Sequence, residues 1–386
     1  MKRVGLWALA AAVIAVGSMA ATGEVQFKKI VVEKTFRSEG VAVGDANHDG
    51  KNDIFAGDVW FEAPDWKVHE IRKVETYKAA GGYSQCFATF AQDINGDGWI
   101  DSIVIGYPGA ECKWYENPQN KPGHWKARVV AKSACNETPV FVDLLGAGKP
   151  VPLFGVRPEG LMTWFAIPKD LEGLWDAHPV SGKDAPGTQQ YSHGLGAGDV
   201  NGDGRADILT KDGWWEAPED RTQPNWKWHP AKLGADCATM YAFDIDGDGA
   251  SDILSSSAHN YGIWWHRQTK GAGGEPEFAQ QEIFKDFSQT HAIELADING
   301  DGLMDFVTGK RWYAHNGGDP GAKDPAVLYW FELKRPEKGK AEFVPHKIDD
   351  DSGVGTQFTI ADMNGDKKPD IVISNKKGVY VFVQEK

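Results

Sequence analysis

From about residue 24 onward, short runs of apolar and β-branched residues alternate with turns rich in Asp, Asn and Gly, and no long stretch keeps a 3.6-residue period. The same order of runs recurs. A run of small residues (VAVG at 41–44, LGAG at 195–198) leads into an Asp-rich loop. A β-branched run leaves it (DIFAG at 53–57, DILT at 207–210, DFVTG at 305–309, DIVIS at 370–374). An aromatic run follows (VWFE at 59–62, KWYE at 113–116, GWWE at 213–216, IWWH at 263–266, LYWFE at 328–332). A fourth run closes the group (WKVHEI at 66–71, HWKARVV at 124–130, WKWHPA at 226–231, EFVPHKI at 342–348). Each group reads as four antiparallel strands.

The Asp loops start at 45, 93, 143, 199, 244, 297 and 362, a recurrence near 50 residues that marks a repeat architecture. Seven groups of four strands predict an all-β chain folded as a seven-bladed β-propeller. The final group, ending at GVYVFVQEK (378–386), lacks a fourth run, while EVQFKKIVVEK (24–34) has the fourth-run pattern before the first loop. The N-terminal strand is therefore expected to complete the last blade and close the ring, leaving no open inner edge. One propeller is expected over 22–386.

In six of the seven loops, oxygen-bearing side chains stand at positions 1, 3, 5 and 9. They are Asp45, Asn47, Asp49 and Asp53; Asp93, Asn95, Asp97 and Asp101; and Asp199, Asn201, Asp203 and Asp207. Further along come Asp244, Asp246, Asp248 and Asp252; Asp297, Asn299, Asp301 and Asp305; and Asp362, Asn364, Asp366 and Asp370. All-oxygen donors on a tight turn suit Ca²⁺. An EF-hand would need a Glu at position 12 and flanking helices. Position 12 is instead Ala56, Val104, Thr210, Ser255 and Thr308 in the five best-formed loops, each within or at the end of a strand pattern. The third loop has Leu145, Ala147 and Val151 where oxygens are needed, so no ion is expected there. The last loop has Lys367 in place of Gly, so five or six structural calcium ions are expected. Such ions would cancel most of the formal charge of −14.

These loops and the strands around them resemble FG-GAP/VCBS repeats, the calcium-bearing propeller blades also found in integrin α-subunits. The resemblance covers nearly the whole chain after residue 21 and implies a binding or enzymatic site on a propeller scaffold, since the fold serves both. The Asp loops are also broadly similar to those in the propeller of aldos-2-ulose dehydratases, although no catalytic residue here can be matched to that family.

Candidate chemistry lies at the opposite ends of the inner strands. Six residues before each first Asp stand Glu39, Phe87, Glu137, His193, Ala238, His291 and Thr356, with Gln357 beside the last. Glu39, Glu137, His193 and His291 are the catalytic candidates of this ring. Loops between the second and third strands add Tyr107, Arg157, Lys211, His259, Lys310 and Arg311 as ligand-binding candidates, and the long loop 313–326 is placed to cover the funnel. The histidines fit three roles: packing between blades, holding a transition metal with Glu39 or Glu137, or acid–base chemistry. Basic residues at this mouth would suit an anionic sugar such as a uronate.

Two readings of function follow. One is a secreted, calcium-stabilised propeller binding carbohydrate or a protein partner at the funnel; the other is a carbohydrate lyase or dehydratase using the His/Glu ring. The absence of basic clusters excludes nucleic acid and anionic membrane surfaces. No nucleophile elbow, phosphate loop, HExxH or dinucleotide fingerprint occurs. The first 21 residues, with Lys2 and Arg3, an apolar run Val4–Gly17 and Ser18-Met19-Ala20, read as a secretory signal peptide, so the protein is expected to be secreted or periplasmic. Export permits disulfides, and one bridge among Cys86, Cys112 and Cys135 is weighed against isolated thiols, Cys237 standing further along the chain.

Overall fold

The computed structural model describes residues 24–385; the signal peptide assigned to residues 1–21 lies outside them. The described residues form 28 strands and a single short 3₁₀ turn, Ala314–Gly317. The architecture is a β-propeller of four-stranded antiparallel blades. In the first blade Ala42–Gly44, Asp53–Ala56, Val59–Glu62 and Lys67–Glu70 run from inside to outside. The last sheet is completed as expected: Phe27–Glu33 pairs antiparallel with Gly378–Gln384, Ile30 opposite Val381.

Four-stranded sheets that stand alone number five, where the sequence predicts seven; the sixth sheet has eight strands. Its two halves, Leu195–Gly198 through Lys227–Pro230 and Thr239–Phe243 through Pro276–Ser288, join where Leu195–Ala197 run parallel to Thr239–Tyr241. Glycine makes this junction physically accessible. A Cβ on Gly196 would stand 1.9 Å from the Met240 carbonyl oxygen, so only a residue without one lets the inner strands come within ladder distance.

Apolar faces meet between neighbouring sheets. Phe61, Trp330, Ile371, Val381 and Phe358 share one buried cluster that links the first sheet, the sheet from Thr290–Ala296 to Lys340–Asp349, and the closing sheet. On the outer strands a polar ladder repeats. Trp60, Trp164, Trp214 and Trp330 stack on His69, His178, His229 and His346 at 4.0–4.3 Å. Glu62, Glu216 and Glu332 bond those histidines at 2.6–3.0 Å in three of the four cases. In the second blade Arg128 takes the histidine's place, 4.6 Å over Trp114 and 2.8 Å from Glu116. The same Glu62, Glu116 and Glu332 also accept from Asn47, Asn95 and Asn299, tying these three Asp loops to the outer strands.

All four cysteines are buried free thiols, which corrects the bridge weighed above. Each sits in a separate local setting: Cys135 Sγ donates to the Gly155 and Thr188 carbonyls and Cys237 Sγ to that of Ala235, while Cys86 Sγ lies 2.9 Å from Thr89 Oγ1.

The inner strands enclose a small axial cavity of about 210 Å³ that reaches Tyr241, Glu294 and Gln357. Glu294 accepts the Tyr241 hydroxyl at 3.2 Å, and burial raises its pKa to about 8. A carboxyl with a raised folded pKa stabilises fully below the unfolded value and loses that contribution as pH climbs toward 8. Glu294 keeps a partly exposed surface, which moderates the cost of burying its charge. Glu294→Gln is therefore expected to leave the melting temperature nearly unchanged at pH 4.5 and raise it by a few degrees at pH 9. Parallel pH–melting curves of the two proteins that never diverge would contradict this.

Candidate functional site

The Asp loops are built on their own backbone amides. In the loop 199–207, Asp199 accepts N–H groups from Gly202, Asp203 and Gly204, Asn201 accepts Asp203 N–H, and Asp203 accepts Arg205 N–H, all within 2.8–3.1 Å. The position-9 carboxylate acts as a clip: Asp207 accepts Val200 N–H at 2.9 Å and, from the end of the third strand, Ala217 N–H at 2.8 Å. Asp53, Asp101, Asp252, Asp305 and Asp370 repeat this clip and are likewise buried. Position 9 thus has a structural task that the donor pattern alone did not reveal. In the third loop, Asp143 still accepts Ala147 and Gly148 N–H at 2.9 and 2.7 Å, so one carboxylate is enough to close the turn. Asp244, Asp246 and Asp248 each bring an oxygen within 4.8 Å of the others, and Arg267 reaches Asp246 at 2.6 Å and Asp248 at 3.4 Å.

At the other end of the inner strands, six of the predicted residues converge. His193 precedes Leu195–Gly198, His291 lies in Thr290–Ala296, Glu137 precedes Val140–Val142, and His259 stands on the turn before Tyr261–Lys270. His193 Nε2 is 2.9 Å from His259 Nε2 and 3.1 Å from His291 Nε2. Glu137 Oε2 is 3.2 Å from His291 Nε2 and 3.5 Å from His193 Nε2. Arg311 Nη1 donates to the same Glu137 oxygen at 2.9 Å, and its Nη2 reaches Glu39 Oε1 at 3.5 Å. Glu39 also accepts Ser84 N–H and Oγ–H.

These groups are almost fully withdrawn from solvent, with Glu39 1 %, Glu137 6 %, His193 6 %, His291 0 % and Arg311 3 % exposed. Burial raises the Glu39 pKa to about 7, even though the Arg311 and Lys376 charges oppose the shift. Burial also pushes Glu137 up, but hydrogen bonds from His193 and His291 and the Arg311 charge outweigh it and hold the carboxyl well below its usual range. Burial, with the Arg311 charge, lowers His291 well below an ordinary imidazole; burial, with His193 and His315, brings His259 down to about 4. Burial likewise lowers Lys376 to about 8, where its ammonium lies 4.2 Å over the Tyr83 ring. At neutral pH the cluster combines an ionised Glu137, neutral His259 and His291, and a charged arginine.

A cavity of about 530 Å³ opens onto this floor, lined by Glu137, His193, His259, His315, Asp236 and the tyrosines 83, 107 and 191. The Tyr107 and Tyr191 rings meet edge to face at 5.7 Å, and Tyr83 lies 5.8 Å from Tyr107. Loop 313–326 does reach the mouth: His315 stacks on His259 at 4.4 Å, and Asp319 bonds His315 Nδ1 at 3.0 Å and His259 Nδ1 at 3.4 Å. His315, Asp319, Tyr83 and Tyr191 were not singled out from the sequence, because they lie off the six-residue register that located the histidine ring.

The remaining candidates are placed differently. Lys310 is buried, and its ammonium is taken by Ser288 Oγ and the Gly321 carbonyl beneath the loop. Gln357 spends its amide on Val41, Thr89 and Phe358 backbone groups. Lys211 pairs with Asp236 at 2.8 Å on the rim, and Arg157 is exposed and outside the cavity lining.

Residues 224–308 match the FG-GAP-like repeat family, a span that includes the loops at Asp244 and Asp297. No curated protein matches the sequence. Among solved structures, BBS1N in complex with ARL6DN is 8% identical with a TM-score of 0.53, the match covering 93% of this chain and 96% of that one. An Agrocybe aegerita lectin described as recognising non-reducing terminal N-acetylglucosamine is 16% identical with a TM-score of 0.46, over 85% and 81% of the two chains. A Bacillus licheniformis rhamnogalacturonan lyase is 14% identical with a TM-score of 0.45, over 92% and 75%. At these identities the likeness is one of fold alone.

Proposed function

We propose that this chain, which carries an FG-GAP-like repeat, is an exported, calcium-stabilised propeller that binds a carbohydrate in the tyrosine-walled funnel. The eight-stranded sheet is read as two blades joined along their inner strands, which makes seven blades in one ring over residues 22–386, residues 1–21 being removed on export. Among the described residues, no helix is long and apolar enough to cross a membrane.

The observation that carries the reading is the cavity of about 530 Å³ in which three tyrosine rings stand over a buried floor of Glu137 and His193. Aromatic faces suit the C–H faces of a sugar ring, and a few fixed polar groups beneath them suit its hydroxyls. Charge narrows the class further. Arg311 already serves two carboxylates, Lys211 serves Asp236, and Lys310 is sealed off, so the funnel has few free cations for a uronate. A neutral sugar fits better than the anionic one considered from the sequence.

The six acidic loops support the calcium reading by comparison with the seventh. Asp143 shows that one carboxylate closes the turn, so the added oxygens at positions 3 and 5 elsewhere exceed what the backbone needs. All-oxygen donors of this kind match Ca²⁺.

Calorimetric titration of the exported protein, its intact mass first checked for loss of residues 1–21, with neutral and uronic oligosaccharides tests the assignment. Binding of a neutral sugar is expected, weakened at least about tenfold by Tyr107→Ala with Tyr191→Ala, since stacking contacts of this size are worth about 1 kcal/mol or more. Binding to none of the sugars, or equal binding by the double variant, would sink the reading. A second reading, a sugar lyase or dehydratase, draws on neutral His259 beside ionised Glu137 and Arg311, a base next to a cation. Formation of an unsaturated product from the bound sugar, lost in His259→Gln, would favour it.

A further inference from the structure

His193 Nε2 has three partners within 3.5 Å: Nε2 of His259, Nε2 of His291 and Oε2 of Glu137. An imidazole nitrogen carries either one proton or one lone pair, so it makes one good hydrogen bond. The surrounding contacts do not relieve the conflict. His291 Nε2 faces the same Glu137 oxygen, and His291 Nδ1 is buried without a partner. Every assignment of protons leaves His193 Nε2, on a side chain only 6 % exposed, with more neighbours than it can serve. A cation that accepts a lone pair from each donor removes the conflict.

We infer that the funnel floor is a transition-metal site, in which His193, His259, His291 and Glu137 hold one zinc-class divalent ion. Three imidazoles and one carboxylate form a nitrogen-rich donor set that suits zinc and its first-row neighbours and does not suit calcium. Bonds of about 2.0–2.1 Å to a tetrahedral ion imply donor–donor edges of about 3.3–3.4 Å. Of the six edges of such a tetrahedron, four measure 2.9, 3.1, 3.2 and 3.5 Å, and His259 and His291 offer nitrogens within 4.8 Å of each other, so side-chain shifts that draw His259 and Glu137 together around His193 would admit the ion. Glu137 Oε2 keeps one lone pair for the metal while accepting Arg311 with the other.

The groups behind the donors have the form that metal sites use. His259 presents Nε2 to the cluster and Nδ1 to Asp319, and Asp319 is itself fixed by Gln289 at 3.0 Å and His315 at 3.0 Å. A carboxylate behind a ligating imidazole sets its tautomer and strengthens the donor. Loop 313–326 thus contributes a positioning residue, and its closure over the funnel fixes the ring that faces the cavity. The inference deepens the reading of this cavity as a sugar site, because the ion would lie on its floor and a sugar oxygen from the open side would join it as a fifth ligand.

The experiment is metal loading of the mature protein without sugar, so that failure of the metal site and failure of sugar binding are read separately. Protein stripped with a chelator is titrated with Co²⁺ and then Zn²⁺. Expected are one Co²⁺ per chain with the visible absorption of a low-coordinate nitrogen-rich site, and its displacement by one equivalent of Zn²⁺. His259→Gln and His291→Ala should each remove the band, and Asp319→Asn should weaken zinc binding by about ten- to a hundredfold while keeping the band's form. His291 is buried, so melting curves accompany each variant; His259, nearer the surface, gives the reading should His291→Ala fail to fold. No stoichiometric ion, or a band that survives His259→Gln, overturns the inference. His259, His315 and Asp319 also lie close enough to bind an ion. Loss of the band in His315→Ala but not in His291→Ala would place the metal there instead and equally overturn it.

Discussion

Stripping calcium from the mature protein is expected to lower its melting temperature by about 10–20 °C, with full recovery on adding Ca²⁺ but not Mg²⁺. The size follows from linkage. An ion present at about a hundred times its dissociation constant stabilises by about 2.7 kcal/mol per site, and the chain has six acidic loops. Without an ion, each loop holds its carboxylates against one another, and the formal charge of −14 adds a general repulsion. Asp203→Ala should lower the melting point by a few degrees in calcium and by much less in chelator, because the Asp203 carboxylate accepts only from the Asn201 side-chain amide and from Arg205, all at the surface of the loop. The buried clip Asp207 is a different case: Asp207→Ala should destabilise in either condition, since it leaves Val200 and Ala217 amides without their acceptor. A scanning calorimetry series with and without chelator separates the two behaviours. Superimposable traces for the unmodified protein would remove calcium from the account.

What could be read from the sequence was what depends on local spacing. The oxygen pattern of each Asp loop lies within nine residues, and the position of a side chain six residues upstream is fixed by strand period, so the sequence alone puts His193, His291, Glu137 and Glu39 at one mouth. His259 came from the opposing loops by the same reasoning. Pairings across the ring have no such signal. Arg311 meets Glu39 and Glu137 across 272 and 174 residues, and only closure of the propeller brings them together. Lys310 and Arg311 look alike as neighbours in sequence, but successive strand positions face opposite ways: one is sealed under the Gly321 carbonyl and the other reaches the funnel floor. The eight-stranded sheet was equally hidden, because the need for glycine at 196 arises from the Met240 carbonyl on the next inner strand. Gln357 shows the converse error: a polar residue beside the ring, it proves to be a backbone brace.

Arg311→Met is expected to destabilise the chelator-treated protein by about 3–5 kcal/mol at pH 8, a fall of roughly 5–15 °C in melting temperature. Arg311 is 3 % exposed and is the cation between two buried carboxylates, so its loss leaves Glu39 and Glu137 facing each other in a poorly solvated floor. The two carboxylates should respond differently. His193 and His291 still bond Glu137, which keeps partners after the substitution. Glu39 retains Ser84 and the distant Lys376 charge, and its pKa, already raised to about 7 by burial, should rise further. The sign of the pH effect follows. With a folded pKa above the unfolded one, Glu39 favours the folded state most when protonated, and that contribution is lost as pH rises through 7 and beyond. The defect in Arg311→Met should therefore shrink markedly at pH 5, where Glu39 binds its proton at little cost. Adding Glu39→Gln should restore a good part of the stability at pH 8, because a neutral amide no longer needs the guanidinium. A variant whose melting point stays within a degree or two of the parent at pH 8, or whose defect is the same at pH 5, would show that the buried charges are solvated by some other route. Sugar binding measured on the doubly substituted, restabilised protein then isolates Arg311's part in holding the Glu137 side of the floor in place.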